Sequence, residues 1–330
     1  MEGVLTLTTV QDYESFVGKR VLVTGGAGFV GSNLASRLVD IGAHVVVLDN
    51  FFTGYKENLA GLPVELVEGD VEDSLLVRRL VSSVEYVFHL AVRNIIVSTK
   101  EPVKDFTTNV GGTINVLEAC LVEKSHIKRL VYTSSVSVYG NARYLPVNED
   151  DPKIILNPYA AGKLSAENYC MAYFETYGLP VSIVRYSNVY GPKQRPENPY
   201  CGVVSKFVSN ALAGTPLRIY GDGEQTRDFT YVDDAVEATT RAALVSPGLV
   251  FNVGSGVETS INTLARLIIE ETGSQCAIEY VDKRDIDDVR RRVVNIELAR
   301  HFLRWSPMVS LRKGIKRTVE WVLLSRKEGD

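Results

Sequence analysis

Along the first half of the chain, short runs of β-branched and aliphatic residues alternate with longer stretches whose apolar positions recur every three or four residues. The runs are predicted strands at 20–24, 44–49, 64–68, 86–90, 130–133 and 181–185. The intervening stretches at 32–41, 102–123 and 160–177 read as amphipathic helices. In the second of these, Val110, Ile114, Leu117 and Leu121 fall on one face. Such an alternation predicts an α/β architecture: a doubly wound parallel sheet of Rossmann type, covered by helices on both faces.

Beyond Gly191 the texture changes. Pro192, Pro196, Pro199, Pro216, Gly221 and Gly223 divide the chain into loops and short elements, which predicts a smaller C-terminal α/β substrate domain over the open edge of the first. The expected boundaries are an N-terminal extension (1–17), a first domain carrying the parallel sheet (18–190, with a segment returning near 228–254) and the smaller second domain (191–227 and 255–330). No Ser/Gly-rich linker separates them, so close packing is expected.

Composition narrows the function classes. Of 330 residues 45% are hydrophobic, and the net charge is −4, so no overall basic field draws the chain to nucleic acid or an anionic membrane. No apolar run approaches the roughly 20 residues of a membrane helix, and the N-terminus lacks the pattern of a signal peptide. Cys120, Cys170, Cys201 and Cys276 form no CxxC pair and there are only four His, which gives no zinc pattern. Reduced thiols in a cytoplasmic protein are the expectation.

The first predicted strand runs into Gly25-Gly26-Ala27-Gly28-Phe29-Val30-Gly31 and then a helix. Glycines allow a tight turn and close approach to a pyrophosphate, which the open N–H groups of the helix then receive. Asp49 ends the second strand at about the 20-residue distance where a carboxylate accepts from the adenosine ribose hydroxyls. An acid there repels a 2′-phosphate, so NAD is expected rather than NADP. Asp70, after the third strand, is placed beside the adenine amino group.

Tyr159 is the only tyrosine with a lysine four residues on, Lys163, a spacing that puts both on one helix face. Upstream, a strand ends in Thr133-Ser134-Ser135, at the sheet edge where ligands bind in such folds. Removing hydride from an alcohol carbon needs a base for the hydroxyl proton. A phenol, with its pKa near 10, serves if a neighbouring ammonium and the oxidised nicotinamide favour phenolate. Lys163 can also bond the nicotinamide ribose, and Ser135 can hold the reacting oxygen or relay its proton.

TGGAGFVGSNL, LDNFFTG, GDV, HLA, NVGGTINVLEAC, TSSVSVYG, YAAGK, RYSNVYGP and IYGDGEQTRDFTYVDD occur in this order. Together they resemble the extended short-chain dehydrogenase/reductase family, in its nucleotide-sugar epimerase and dehydratase branch, over residues 19–321. The resemblance implies that Gly25, Gly28, Phe29, Val30 and Gly31 hold the pyrophosphate of NAD and Asp49 and Asn50 the adenosine ribose. It implies further cofactor contacts from Asp70, Val71, Leu90, Ala91, Thr133 and Tyr186, and a catalytic trio of Ser135, Tyr159 and Lys163. For the substrate it points to Asn188 and Val204, to Arg227, whose guanidinium suits the nucleotide phosphates, and to Arg290 or Arg291. It makes Asn109, in a helix's first turn, a joiner of backbone groups. It also implies a homodimer through helices 102–123 and 160–177. Val92 and the following Arg93-Asn94-Ile95-Ile96 depart from the family pattern in a loop expected near the sugar.

The branch's dehydratases carry Asp-Glu after the serine, and its decarboxylases a Glu at the second position. Here Val136 and Ser137 stand there. What remains is oxidation at sugar C4 and return of hydride to the opposite face, hence a 4-epimerase of UDP-sugars. Arg292 could pair with a uronic carboxylate if it faces the sugar. The alternatives are a decarboxylase or dehydratase drawing a carboxylate from elsewhere, such as Glu149, and a non-catalytic NAD-binding scaffold.

Overall fold

The computed structural model describes residues 13–283 and 289–327; most of the predicted N-terminal extension lies outside them. In chain order the strands are β1 (Arg20–Thr24), β2 (His44–Asp49), β3 (Glu65–Glu68), β4 (Tyr86–His89), β5 (Arg129–Ser135), β6 (Val181–Tyr186), β7 (Asn188–Tyr190), β8 (Leu217–Tyr220), β9 (Thr226–Tyr231), β10 (Leu249–Val253), β11 (Glu258–Ser260) and β12 (Ile278–Val281). Seven of them make one sheet in the order β10-β6-β5-β4-β1-β2-β3, with every neighbouring pair parallel. The direction of winding reverses between β1 and β4, which opens a crevice at their carboxyl ends.

The helices are α1 (Phe29–Asp40), α2 (Ser74–Val81), α3 (Ile95–Lys100), α4 (Pro102–Asp105), α5 (Thr113–Val122), α6 (Pro158–Tyr177), α7 (Val203–Leu212), α8 (Val232–Ala242), α9 (Ile261–Thr272), α10 (Glu297–Leu303) and α11 (Leu311–Lys327). Strand periodicity sorts the core into two layers. Val21, Val23, Val45 and Val47 pack with Leu34 and Leu38 of α1 and Ala235 of α8. The alternate residues Leu22, Val46 and Leu48 pack with Val77 of α2, Leu117 of α5 and Ala166 of α6. Successive strand side chains point to opposite faces, so each run of aliphatic residues feeds both layers.

The first layer continues without a break into the C-terminal elements, through Leu264 and Ile268 of α9, Trp305, and Ile315 and Val319 of α11. Strands β11, β9 and β7 form a small sheet, and β12 pairs with β8. Among the described residues no helix is long and apolar enough to cross a membrane.

The predicted helix at 102–123 is interrupted: Phe106–Gly112, between α4 and α5, is a π-helical turn. A widened turn of this kind is a recurrent feature of functional sites. The expected position of Asn109 is corrected with it, from a helix's first turn to the middle of the bulge. Its Oδ1 accepts from Arg93 N at 2.8 Å, and its Nδ2 donates to Arg93 O at 3.1 Å and to Asp105 Oδ1 at 2.6 Å. Side-chain bonds to a neighbouring loop thus accompany a departure from the regular helical ladder, which hydrophobic periodicity cannot register.

Candidate active site

The crevice at the carboxyl ends of β1 and β4 is a cleft of about 310 Å³. One wall is the turn from β1 into α1. Gly25 has φ +68°, and a Cβ there would lie 2.8 Å from Ala91 N. At Gly31 a Cβ would lie 2.1 Å from Gly25 O, so any side chain would break the turn. Gly28 caps α1 with no side-chain oxygen, which leaves the first-turn N–H groups facing the cleft. A backbone cradle at a helix N-terminus is the arrangement that receives a pyrophosphate.

Asp49 closes the far side of this turn. Its carboxylate accepts from Ala27 N at 2.9 Å and from Phe51 N at 2.8 Å. Burial raises the carboxyl's pKa, and the N–H groups of Phe51, Ala27 and Gly28 oppose that shift. The same acid therefore holds the glycine turn in shape and lines the cleft. Next to it Asn50 Nδ2 donates to Asp70 Oδ2 at 2.6 Å, joining the ends of β2 and β3.

The opposite wall depends on a buried relay. Leu90 N and Ala91 N approach Thr24 Oγ1 at 3.2 and 3.3 Å, and Thr24 Oγ1 lies 2.7 Å from His89 Nδ1. His89 Nε2 is 3.0 Å from Thr113 Oγ1, which donates to Asn109 O at 2.7 Å. Because Thr113 spends its proton on that carbonyl, Nε2 is the donor and Nδ1 accepts from Thr24. Burial, together with the charge of Lys163, pushes the His89 pKa down to about 3.

Tyr159 and Lys163 stand in the first turns of α6, which Asn157 caps by accepting from Ala160 N at 2.9 Å. Lys163 is buried, and its Nζ donates to Thr133 O at 2.8 Å. Burial lowers its pKa to about 8, with Asp105 and Glu167 pulling the other way. At the end of β5, Ser135 Oγ donates to Ser137 Oγ at 3.0 Å and accepts from Ser137 N at 3.1 Å. Glu167, one turn beyond Lys163, forms a buried pair with Arg185 at 2.6 Å. Arg185 also donates to Tyr139 Oη at 2.7 Å.

Every residue expected to hold the cofactor lines this one cleft, Tyr159, Lys163 and Tyr186 included. Ser135, Asn188, Val204, Arg227, Arg290 and Arg291 are not among its lining residues. Arg227 donates to Thr226 O and Val289 O, both at 2.8 Å. Arg290 pairs with Asp222 at 2.7 Å and Arg291 with Glu258 at 2.6 Å, both on the surface, whereas Arg292 is buried at 4% exposure. The neighbouring Asp228 is fully buried and accepts from Ser255 N, Gly256 N and Val294 N at 2.6, 3.1 and 3.3 Å. It is the knot that ties β9 to the C-terminal segments.

In the loop after β4, the Arg93 guanidinium lies 3.9 Å from the Phe52 ring centroid and 3.9 Å from the Asp70 carboxylate. Lys193, Arg195, Tyr200 and Cys201 line the cleft as well, though no local signal marks them. They arrive from the segment between β7 and α7, which only tertiary packing brings to the cleft.

Residues 21–254 match the model of the NAD dependent epimerase/dehydratase family. A UDP-glucose 4-epimerase of Mycolicibacterium smegmatis is 40% identical, over 92% of this chain and 98% of its own length. A UDP-N-acetyl-alpha-D-glucosaminuronate decarboxylase of Bacillus cytotoxicus is 37% identical, over 92% and 97%. The crystal structure of UDP-glucose 4-epimerase with UDP-glucose from Thermotoga maritima superposes with a TM-score of 0.89 at 37% identity, covering 94% of this chain and 100% of that one. The glycine cradle, the acid that ends β2 and the family match agree: the chain belongs to the NAD-dependent epimerase/dehydratase family, and its cofactor is NAD.

Proposed function

We propose that the protein is a UDP-sugar 4-epimerase. The observation that carries this reading is the company Ser135 keeps: it bonds Ser137, Val136 beside it is buried, and Tyr159 and Lys163 share the cofactor cleft. A base and an ammonium group are present, but no acid pair for elimination stands beside the serine.

NAD supplies the hydride acceptor, and then the donor, at sugar C4. Tyr159 takes the C4 hydroxyl proton as the carbon is oxidised and gives it back on re-reduction. Lys163, charged below about pH 8, stabilises the phenolate; each unit by which the phenol's pKa is lowered corresponds to about 1.4 kcal/mol. Ser135 holds the C4 oxygen, and Asn188 and Arg227 meet the diphosphate. The Mycolicibacterium relative and the Thermotoga structure carry the same activity in their names.

A decarboxylase among the relatives makes loss of carbon dioxide the chief rival. The acid considered for it, Glu149, accepts from Asn252 N at 2.8 Å and does not line the cleft. Incubation of the purified protein with UDP-glucose, UDP-N-acetylglucosamine and UDP-glucuronate, followed by sugar and mass analysis, decides between them. C4 inversion at unchanged mass is expected; a product lacking carbon dioxide or water, or no inversion of any of the three, overturns the reading.

A further inference from the structure

A stack of three side chains from separate parts of the chain crosses the cofactor cleft. Phe52 follows β2, Arg93 follows β4, and Tyr200 lies between β7 and α7. The Arg93 guanidinium sits 3.9 Å from the Phe52 ring centroid. The Tyr200 ring stacks on Phe52 with centroids 6.2 Å apart and planes 17° apart. All three line the cleft, and Phe52, an aromatic residue 43% exposed, gains cover from both neighbours.

Arg93 is braced from behind. Its Nε donates to Thr108 Oγ1 at 3.3 Å, and its backbone N–H and C=O are both bonded to the Asn109 amide. Tyr200 is braced by its own segment. Lys193 Nζ donates to Asn58 O at 2.9 Å, Arg195 Nε donates to Asn58 Oδ1 at 3.3 Å, and the Arg195 guanidinium lies 4.7 Å from the Tyr55 ring centroid. Residues 193–201 thus lie as a strap against the loop 52–58, with the stack at its far end.

We propose that Arg93, Phe52 and Tyr200 form a clasp that retains NAD in its cleft between turnovers. The stack joins the two walls of the cleft to the C-terminal half, so the dinucleotide leaves only when Phe52 parts from its neighbours. A planar guanidinium and a tyrosine ring suit this role, because both hold an aromatic face without a fixed hydrogen-bond partner. The clasp depends on the cofactor and not on which sugar is turned over.

The test is the rate at which full-length protein loaded with NAD releases it into a coupled-dehydrogenase trap. Phe52→Ala and Tyr200→Ala should each speed release about tenfold, equivalent to about 1.4 kcal/mol. The double variant should be scarcely faster than either single one, because the two rings act as a unit. Tyr200→Phe keeps the stack and should stay within about twofold of wild type. Should an alanine variant unfold, by circular dichroism, Arg93→Lys takes its place: it keeps the charge, loses the planar face and should also speed release. Release within about twofold of wild type in the folded stack-breaking variants overturns the clasp, as does a double variant whose effect is the product of the two single ones.

Discussion

Lys163 Nζ donates a 2.8 Å hydrogen bond to the carbonyl oxygen of Thr133, which ties the first turns of α6 to the strand that ends in Ser135. One of the ammonium's three hydrogens is spent on this link, and the others remain for a ribose or a phenolate. The bond sets the distance between the helix that carries Tyr159 and the strand end that carries Ser135. Positioning of this kind is where much of the rate advantage of a bound reaction arises.

In the proposed mechanism Tyr159 is the acid–base group, and Tyr159→Phe removes it while leaving the ring. C4 inversion should fall by at least about 100-fold, the usual contribution of a positioned proton acceptor, while bound NAD, measured by its release on denaturation, is unchanged. Equal turnover by wild type and Tyr159→Phe would remove Tyr159 from the mechanism.

The depressed pKa of Lys163 has a consequence for stability. Between about pH 8 and the ordinary lysine value of 10.5 the folded lysine has lost its proton while the unfolded one keeps it. The unfolded state binds more protons in that window, so this group's contribution to stability rises with pH. Below about pH 8 the buried charge is a standing cost. Lys163→Met should therefore gain more stability relative to wild type at pH 7 than at pH 10, measured by denaturant titration of the NAD-free protein. A difference independent of pH would show that Lys163 titrates normally.

His89 predicts loss of stability in acid. Burial holds its folded pKa at about 3 against an ordinary histidine value of 6.5, so between these values the unfolded chain takes up a proton that the folded one refuses, and stability falls as pH drops through that window. In His89→Leu the slope of stability against pH between about 4 and 6 should be shallower than in wild type, although the variant is less stable overall because Thr24 and Thr113 lose their partner.

Glu167 and Arg185 are both buried and bonded through two carboxylate oxygens. Glu167→Ala leaves an uncompensated guanidinium and should cost about 3–5 kcal/mol by urea denaturation. The double change to Leu and Met should cost less than Glu167→Ala alone. A Glu167→Ala loss below about 1 kcal/mol would mean that water reaches Arg185.

Among the four thiols, Cys120 and Cys170 are buried while Cys201 and Cys276 are partly exposed, and Cys201 lines the cleft. Maleimide labelling read by peptide mass mapping should reach Cys201 and Cys276 and leave the other two untouched. Saturating NAD should slow labelling at Cys201 and not at Cys276.

The parts of this protein that read correctly from its sequence are those in which neighbours along the chain do the work together. The glycine turn, the acid ending β2 and the Tyr159–Lys163 pair each lie within one strand–turn–helix unit or one helix face, so spacing alone states the geometry. The predicted helix at 102–123 is present but its central turn is π-helical, and there Asn109 bonds the backbone of Arg93, sixteen positions away. Likewise Arg290 and Arg291, alike in sequence, take separate surface partners, while Arg292 beside them is buried.

Local pattern by itself determined the parallel α/β core, the glycine turn into α1 and the placement of Tyr159 and Lys163 together on α6, because aliphatic periodicity, backbone freedom at glycine and helix pitch are properties of contiguous residues. Only the tertiary structure decided that Phe52, Arg93 and Tyr200 meet across the cleft, that Asp228 is a structural knot and that Glu149 is turned to Asn252. Those contacts join segments tens to more than a hundred residues apart, and their partners are chosen by how the layers pack.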